Sequence, residues 1–476
     1  MNLKRRRILQ AAAASGVAAL LPAPARAGKT VVNDVSQLNP VEVADVRRPR
    51  STEEIQAALR AWPGAVSIGG GRFSQGGQIA EPGSLHLDMR GMNKVLSLDA
   101  ANRVVRVQAG IRWRDIQDAI DPHDLSVKIM QSFSNFTVGG ALSVNCHGRY
   151  VGRGPLVNSV RAVQLVTADS RVLELSRSEN LELFRAVFGG YGGLGVVTEV
   201  ELDLDANTRM ERISQSVPLE DYRQFFRETV LADPKMVMHN ADLIPPDFDT
   251  PVAISWRATD KPVTESKRLV PRGQRYAIDK DVIWAVTELP GGARVRKEVI
   301  NPSILGKQAV VWRNHEASMD TAMLEPRTRS ISTYLLQEFF IPEEKFLPFV
   351  RKMAGILKTH QVNALNVSIR HSPADKTSLL AWAPREVFAF VLYYKQRSTK
   401  PASAKVRVWT RELIDAVLQN GGRYYLPYRL DATREQFTRA YPEAAEFSAL
   451  KASVDPDKRF RNLLWDAYLP DEGVKP

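Results

Sequence analysis

Three glycine-rich stretches are the residues in this chain whose type and spacing most plainly suit chemistry. The first, Gly69-Gly70-Gly71-Arg72-Phe73-Ser74-Gln75-Gly76-Gly77, follows the β-branched run Val66-Ser67-Ile68. Glycine lacks the Cβ that blocks close approach, so several backbone N–H groups can turn toward one anion and cradle a phosphate. The second, Thr137-Val138-Gly139-Gly140-Ala141-Leu142-Ser143, opens an apparent helix, whose N-terminal dipole and free N–H groups favour a pyrophosphate. The third, Gly189-Gly190-Tyr191-Gly192-Gly193-Leu194-Gly195-Val196-Val197, leads into a strand, where bare backbone can lie flat against the edge of a ring. A single loop of this kind is a weak signal, because glycine-rich turns are common. Three of them, spaced through two α+β units, point to a large phosphate-bearing ligand.

The elements that must carry these loops are readable around them. Strands are expected over 66–68, 85–87 and 94–98. Asn102-Arg103 marks a hairpin into the alternating Val104-Val105-Arg106-Val107, after which Trp113, Ile116, Gln117 and Ile120 recur at helical spacing. A second unit has strands over 160–167 and 171–175 about the turn Ala168-Asp169-Ser170, a helix over 181–188 and a strand over 196–204. A boundary falls near Ala206. From 206 to 420 the pattern changes: 220–231 and 342–360 read as amphipathic helices among strands over 252–256, 365–370 and 387–394. This predicts an α+β cap. Residues 261–302 are rich in charge, Pro and Gly with poor periodicity, which predicts a loop or partly mobile lid. The chain shows no internal repeat and no low-complexity segment.

At 476 residues the chain is too long for one ordinary core, and two or three packed units are expected. Its 44% hydrophobic and 25% charged residues are ordinary globular values. The formal charge is +12, but Lys4, Arg5, Arg6, Arg7 and Arg26 belong to a removable leader, so no nucleic-acid partner is expected. That leader, residues 1–27, has Lys4-Arg5-Arg6-Arg7-Ile8-Leu9-Gln10 before a weakly apolar alanine-rich run, and Ala25-Arg26-Ala27 offers a cleavage site. It looks like a twin-arginine signal, which predicts export of the folded protein to the periplasm. No apolar run reaches the ~18 residues of a membrane span. Cys146 is the single cysteine, so no disulfide framework and no metal site built on several thiolates is expected.

Taken in order, Ile68-Gly69-Gly70-Gly71-Arg72-Phe73-Ser74, Leu87-Asp88-Met89, Val107-Gln108-Ala109-Gly110, Thr137-Val138-Gly139-Gly140, His147-Gly148 and Gly193-Leu194-Gly195-Val196-Val197 resemble the FAD domain of the vanillyl-alcohol oxidase / para-cresol methylhydroxylase family. The likeness is nearest to its aldonolactone/alditol oxidase and decaprenylphosphoryl-ribose oxidase branch. It implies an α+β fold: a PCMH-type FAD-binding domain of two α+β subdomains over 40–205, a substrate cap with an antiparallel sheet over 206–420, and a C-terminal segment over 421–476 that returns to the flavin. Asp455-Pro456-Asp457-Lys458-Arg459-Phe460-Arg461-Asn462 is similar to that returning tail and implies that Asn462 lies near the isoalloxazine. His147 is assigned by the same resemblance to the flavin pocket, and Gln78, Ser132, Ser143, Val138 and Gly148 join the glycines, Arg72, Phe73 and Ser74 in the implied cofactor set.

The departures from the family carry as much meaning. Many relatives place a histidine directly before the serine of the first loop and link it to the flavin; Phe73 stands there. Bicovalent relatives place a cysteine two residues before Thr-Val-Gly-Gly; Asn135 stands there. Non-covalent FAD is therefore expected. In the cap, Leu336-Gln337-Glu338-Phe339-Phe340-Ile341-Pro342 resembles the strand that presents a carboxylate to the substrate, and alternation puts Glu338 and Phe340 on one face. Apolar flanks predict a raised pKa and a role in binding or deprotonating a hydroxyl. Tyr425 and Tyr428 align with a His/Tyr position and a lysine of the relatives, so the cation those enzymes set by the flavin is expected to be missing. Two phenols suit an uncharged or aromatic substrate.

The implied activity is hydride transfer from the CH–OH of a polyol, sugar or related small alcohol to FAD, with Glu338, Tyr425 and Tyr428 as the catalytic residues. Oxygen, a quinone or a periplasmic carrier stands open as electron acceptor. Phenolic or aromatic alcohols are the second reading, and a flavin-binding electron-transfer or assembly protein without turnover is the third.

Overall fold

The computed structural model describes residues 30–289, 291–292, 305–326 and 328–469. The leader expected over 1–27 lies outside them. Helix Thr52–Ala61 shows how local sequence sets the first unit: the Ser51 side chain accepts from the Glu54 N–H as an N-cap, and Ile55, Ala58 and Leu59 form the buried stripe. This helix is the crossover that lets Asp45–Arg47 and Val66–Gly69 run parallel on either side of Leu85–Asp88. All four residues of Leu85–Asp88 are buried, as a central parallel strand requires.

The second unit is an antiparallel sheet ordered Val172–Ser176, Val160–Val166, Val196–Ala206, Val104–Gln108, Val95–Asp99, with Leu125–Val127 paired to the far end of Val196–Ala206. Arg103 and Ser170 take positive φ at the two expected turns. Helix Trp113–Ile120 buries Trp113, Ile116, Gln117 and Ile120, the four residues whose spacing announced it.

The chain changes sheets between Ala206 and Arg209. The cap is an eight-stranded antiparallel sheet ordered Val310–Trp312, Arg209–Ser216, Val252–Ala258, Met236–Leu243, Ala364–Ser372, Val387–Arg397, Ser332–Pro342, Arg423–Tyr424. Its last strand comes from just beyond residue 420, so the C-terminal segment begins inside the cap sheet. One face of the long strands (Leu335, Phe339, Phe388, Phe390, Leu392) packs with Phe346 and Phe349 of helix Phe346–Thr359. The opposite face, with Leu336 and Glu338, turns toward the first two units and lines a cleft.

Two expectations need correcting. The helix expected over 220–231 runs as an α-turn only through Tyr222–Phe225 and then widens over Phe226–Leu231. The stretch expected as loop contains helix Ala277–Glu288. No residue of that helix is buried, so its own periodicity was weak; tertiary contacts hold it. Glu288 pairs with Lys395 and Arg397, and the Thr287 hydroxyl lies 2.7 Å from that of Tyr334. Residues 290 and 293–302 of the same stretch are outside the described set.

The end of the chain returns to the start. The Val66 N–H donates to the Arg459 carbonyl at 2.6 Å and the Arg461 N–H to the Val66 carbonyl at 3.0 Å, so the tail joins the start of Val66–Gly69 through one parallel bridge between Val66 and Phe460. Among the described residues no helix is long and apolar enough to cross a membrane, and no group of three or more His, Cys, Asp and Glu could hold a metal ion.

Candidate active site

The three glycine loops converge on one cleft. Gly70, Gly71, Arg72, Phe73 and Ser74 line it from the first loop, and Gln78 follows them. A Cβ on Gly70 would stand 2.3 Å from Thr137 Oγ1, and the Gly71 N–H donates to that same oxygen at 3.2 Å, so the first and second loops touch through a contact that only glycine permits. Gly69 lies behind the lining, against His86, whose ring would stand 2.7 Å from an added Cβ. Arg72 takes positive φ (62°) and its Nε is buried without a hydrogen-bond partner. Phe73 packs on Phe136 with ring centroids 4.5 Å apart. The Gln78 side chain donates to the Leu426 carbonyl at 2.8 Å and the Tyr428 carbonyl at 2.6 Å, tying the first loop to the segment that carries the two tyrosines.

From the second loop, Thr137, Gly139, Gly140 and Ser143 line the cleft, while Val138 is fully buried in the core behind. The helix here, Val138–Ser143, has six residues. Its Val138 N–H donates to the Ile111 carbonyl and its Gly139 N–H to the Ala109 carbonyl, so these two amides are not free for a pyrophosphate. From the third loop, Gly193, Gly195 and Val197 line the cleft, and Val196 is core. Gly195 has φ +155°, and a Cβ on it would stand 2.6 Å from the Val166 carbonyl oxygen. Ser132 lines a small separate cavity with Arg149 and Met238, and Gly148 packs against the Met130 carbonyl; neither reaches the cleft. Asn462 is also off the cleft wall. Its amide donates to the Tyr191 carbonyl at 2.9 Å and its carbonyl caps helix Leu463–Tyr468, so it fixes the third loop from behind.

Opposite the loops, the cap supplies side chains. Glu338, 3% exposed, holds His147 Nε2 at 2.6 Å on Oε1, and its Oε2 accepts from the Tyr428 hydroxyl at 3.2 Å. Tyr425 donates to the Val144 carbonyl at 2.8 Å, and Trp382 stacks on Phe340 with centroids 4.2 Å apart beside the His147 ring. Burial by itself raises a carboxyl pKa. Here His147, Arg370 and the Tyr428 hydroxyl outweigh it and hold Glu338 below the usual carboxylate range, contrary to the raised value expected from its apolar flanks. Burial pushes both tyrosine hydroxyls well up, so they stay neutral donors.

Arg370 is the residue that sequence reasoning missed. It lies on Ala364–Ser372, lines the cleft, and acts on Glu338 and Tyr428, so the cation absent at position 428 is supplied from another strand. The available signal was a lone arginine in an otherwise alternating apolar strand. Cys146 also lines the cleft; burial drives its thiol far up, which leaves it a protonated, inert group.

These residues fit FAD by their own geometry: two glycine loops meeting where side chains cannot, a buried arginine Nε lacking an acceptor, and a long cleft between a backbone wall and a wall of polar side chains. Comparison with known proteins agrees. An FAD binding domain model matches residues 43–176. Decaprenylphosphoryl-beta-D-ribose oxidase of Mycolicibacterium smegmatis is 24% identical over 85% of this chain and 89% of its own length. L-gulonolactone oxidase of Bos taurus is 24% identical over 89% of this chain and 93% of its own. Alditol oxidase of a Streptomyces species is 32% identical over 34% of this chain and 39% of its own. Residues 43–176 are thus an FAD-binding domain, and the chain is an FAD-dependent oxidoreductase similar to the aldonolactone and alditol oxidases.

Proposed function

We propose that the protein oxidises the CH–OH carbon of a small polyol, sugar or related alcohol with FAD held non-covalently. The observation that carries this is the Glu338 carboxylate, kept ionised between His147 and Tyr428 on the wall that faces the glycine loops. FAD, when bound, supplies the acceptor for the hydride leaving the alcohol carbon. Gly70, Gly140 and the Thr137 hydroxyl would hold it, Gly71, Gly139 and Gly193 would give it room by lacking a Cβ, and Arg72 would offer its unpartnered Nε. Glu338 receives the substrate hydroxyl and takes its proton. A hydroxyl whose carbon is losing hydride becomes strongly acidic, so even a carboxylate of lowered pKa is basic enough. His147 fixes one Glu338 oxygen and leaves the other to the Tyr428 hydroxyl and the substrate. Tyr425 and Tyr428 line the cleft, with Phe340 and Trp382 packed behind Tyr425, and these rings also favour a second reading, a phenolic or aromatic alcohol.

Non-covalent attachment is supported by Phe73 at the usual linking position, by the raised Cys146 thiol and by the engagement of His147 with Glu338. The basic leader motif Lys4-Arg5-Arg6-Arg7 supports export to the periplasm, and the electron acceptor is oxygen, a quinone or a carrier there. Anaerobic titration with polyols and with phenolic alcohols should bleach the flavin with the former; bleaching by phenols alone selects the second reading. Acid precipitation should leave all FAD in the supernatant, and yellow fluorescence retained by the polypeptide would refute the non-covalent reading. Replacing Arg5 and Arg6 by lysine should strand the protein in the cytoplasm.

A further inference from the structure

Among the described residues three arginines line the cleft, Arg72, Arg329 and Arg370. Arg72 faces Asp88 at 3.7 Å, and Arg329 donates to the Thr333 hydroxyl at 2.5 Å and the Tyr334 carbonyl at 3.3 Å. Arg370 differs. Among the described residues its guanidinium makes no ion pair and no hydrogen bond, and its Nε is buried unpartnered. The charges nearest it are already engaged elsewhere: Glu338 with His147 and Tyr428, Arg149 with Glu316 at 2.7 Å, and Asp242 with Asn366 at 3.1 Å. The residue is only partly shielded on the cleft wall, but an Nε withdrawn from water without an acceptor is costly unless a ligand supplies one.

The strand register shows how the guanidinium comes to share the site with Glu338. Arg370 pairs with Ala389, and Ala389 with Phe340, two residues along from Glu338. The small side chain of Ala389 leaves the intervening strand low, so the long arginine can cross it toward the carboxylate. We propose that Arg370 receives a carboxylate of the substrate, and that the compound oxidised is a hydroxy acid whose reacting hydroxyl sits on Glu338. This rests on the role given to Glu338 above. A carboxylate matches the guanidinium fork with two parallel hydrogen bonds, and anchoring both ends of one small molecule selects the carbon presented for oxidation. The carboxylate undergoes no bond change. A neutral polyol leaves the fork unpaired, and sites with buried unmet donors discriminate against such ligands.

The test uses FAD-loaded protein and matched pairs, each hydroxy acid against the alcohol with CH2OH in place of its carboxylate, from glycolate and ethylene glycol up to gluconate and glucitol. Half-saturation is read anaerobically from the perturbation of flavin absorbance, and turnover from bleaching. In at least one pair the acid should half-saturate at about 10- to 100-fold lower concentration, the range of a charge-assisted pair. Arg370→Met should abolish that difference with FAD content unchanged. The proposal is overturned if no acid binds better than its alcohol, if Arg370→Met weakens both members alike, or if it shifts the flavin spectrum and sulfite affinity with no organic ligand present, which assigns the guanidinium to the cofactor. Glu338→Gln keeps the two readings apart. It should slow bleaching by the preferred acid while acid binding through Arg370 persists; parental bleaching in that variant defeats the Glu338 reading and leaves the carboxylate site standing.

Discussion

The two walls of the cleft are made of different material. The FAD-domain wall is mostly backbone: Gly70, Gly71, Gly139, Gly140, Gly193 and Gly195, at several of which an added Cβ meets a neighbour at under 3.0 Å. The cap wall is mostly side chain, with Glu338, Arg370, Tyr425 and Tyr428 reaching in from three strands or loops. Backbone walls recognise what every member of a cofactor-binding family shares, and they tolerate no added atoms. Side-chain walls set what is done and to which compound, and they can change one residue at a time without disturbing the cofactor.

The comparison breaks if a change on the first wall leaves the cofactor in place. Gly70→Val puts a branched carbon where the Cβ site lies 2.3 Å from Thr137 Oγ1. Overpacking of this kind costs about 1–3 kcal/mol, so the purified variant should hold roughly a tenth or less of the parental FAD, measured by the ratio of flavin to protein absorbance. Parental FAD content in a folded variant would undo the argument. On the second wall the cofactor should stay and the rate should fall. Glu338→Gln is expected to slow flavin reduction about 100-fold or more at unchanged FAD content.

The same carboxylate gives a pH signature. Because its folded-state pKa lies below the ordinary value of about 4.3, the charged form is favoured by the site. Its contribution is present above the unfolded value and is lost as pH falls through the lowered one. Flavin reduction should therefore stay level down through pH ~4.3 and decline only below it. A decline centred near neutrality would show that another group takes the proton. The smallest effect is expected from Tyr428→Phe, which removes one neutral hydroxyl from Glu338 and costs about 0.5–1.5 kcal/mol, roughly 10-fold at most in rate. A larger loss would make Tyr428 a proton carrier rather than an orienting group.

The two walls were not equally legible in the sequence. Glycine spacing and the Trp113, Ile116, Gln117, Ile120 stripe are local signals, and helix Trp113–Ile120 and the convergence of the loops match them. The electrostatics of Glu338 depend on His147, 191 positions away, and on an arginine two strands across, so apolar neighbours in sequence pointed to the wrong direction of shift. Arg370 was passed over for the same reason: its role is set by register against Ala389, which no window along one strand contains. Helix Ala277–Glu288 is held by the ion pairs of Glu288 rather than by a buried stripe, and the sequence of the helix alone is silent about them.

The pairing of Val66 with Arg459–Arg461 has a consequence for how the protein is made. The strand that carries the first glycine loop leaves the ribosome early, and the segment that completes its sheet comes from near the end of the chain. At about 5–20 residues per second the wait is roughly 20–80 s. Throughout that interval the Val66 backbone lacks its partner, and Lys451, which joins the Gly193 and Phe460 carbonyls through one ammonium, has not been synthesised. The cofactor compartment is thus finished only when translation is nearly over, and a message cut short before that point yields a chain with a nearly complete cap and an open flavin domain.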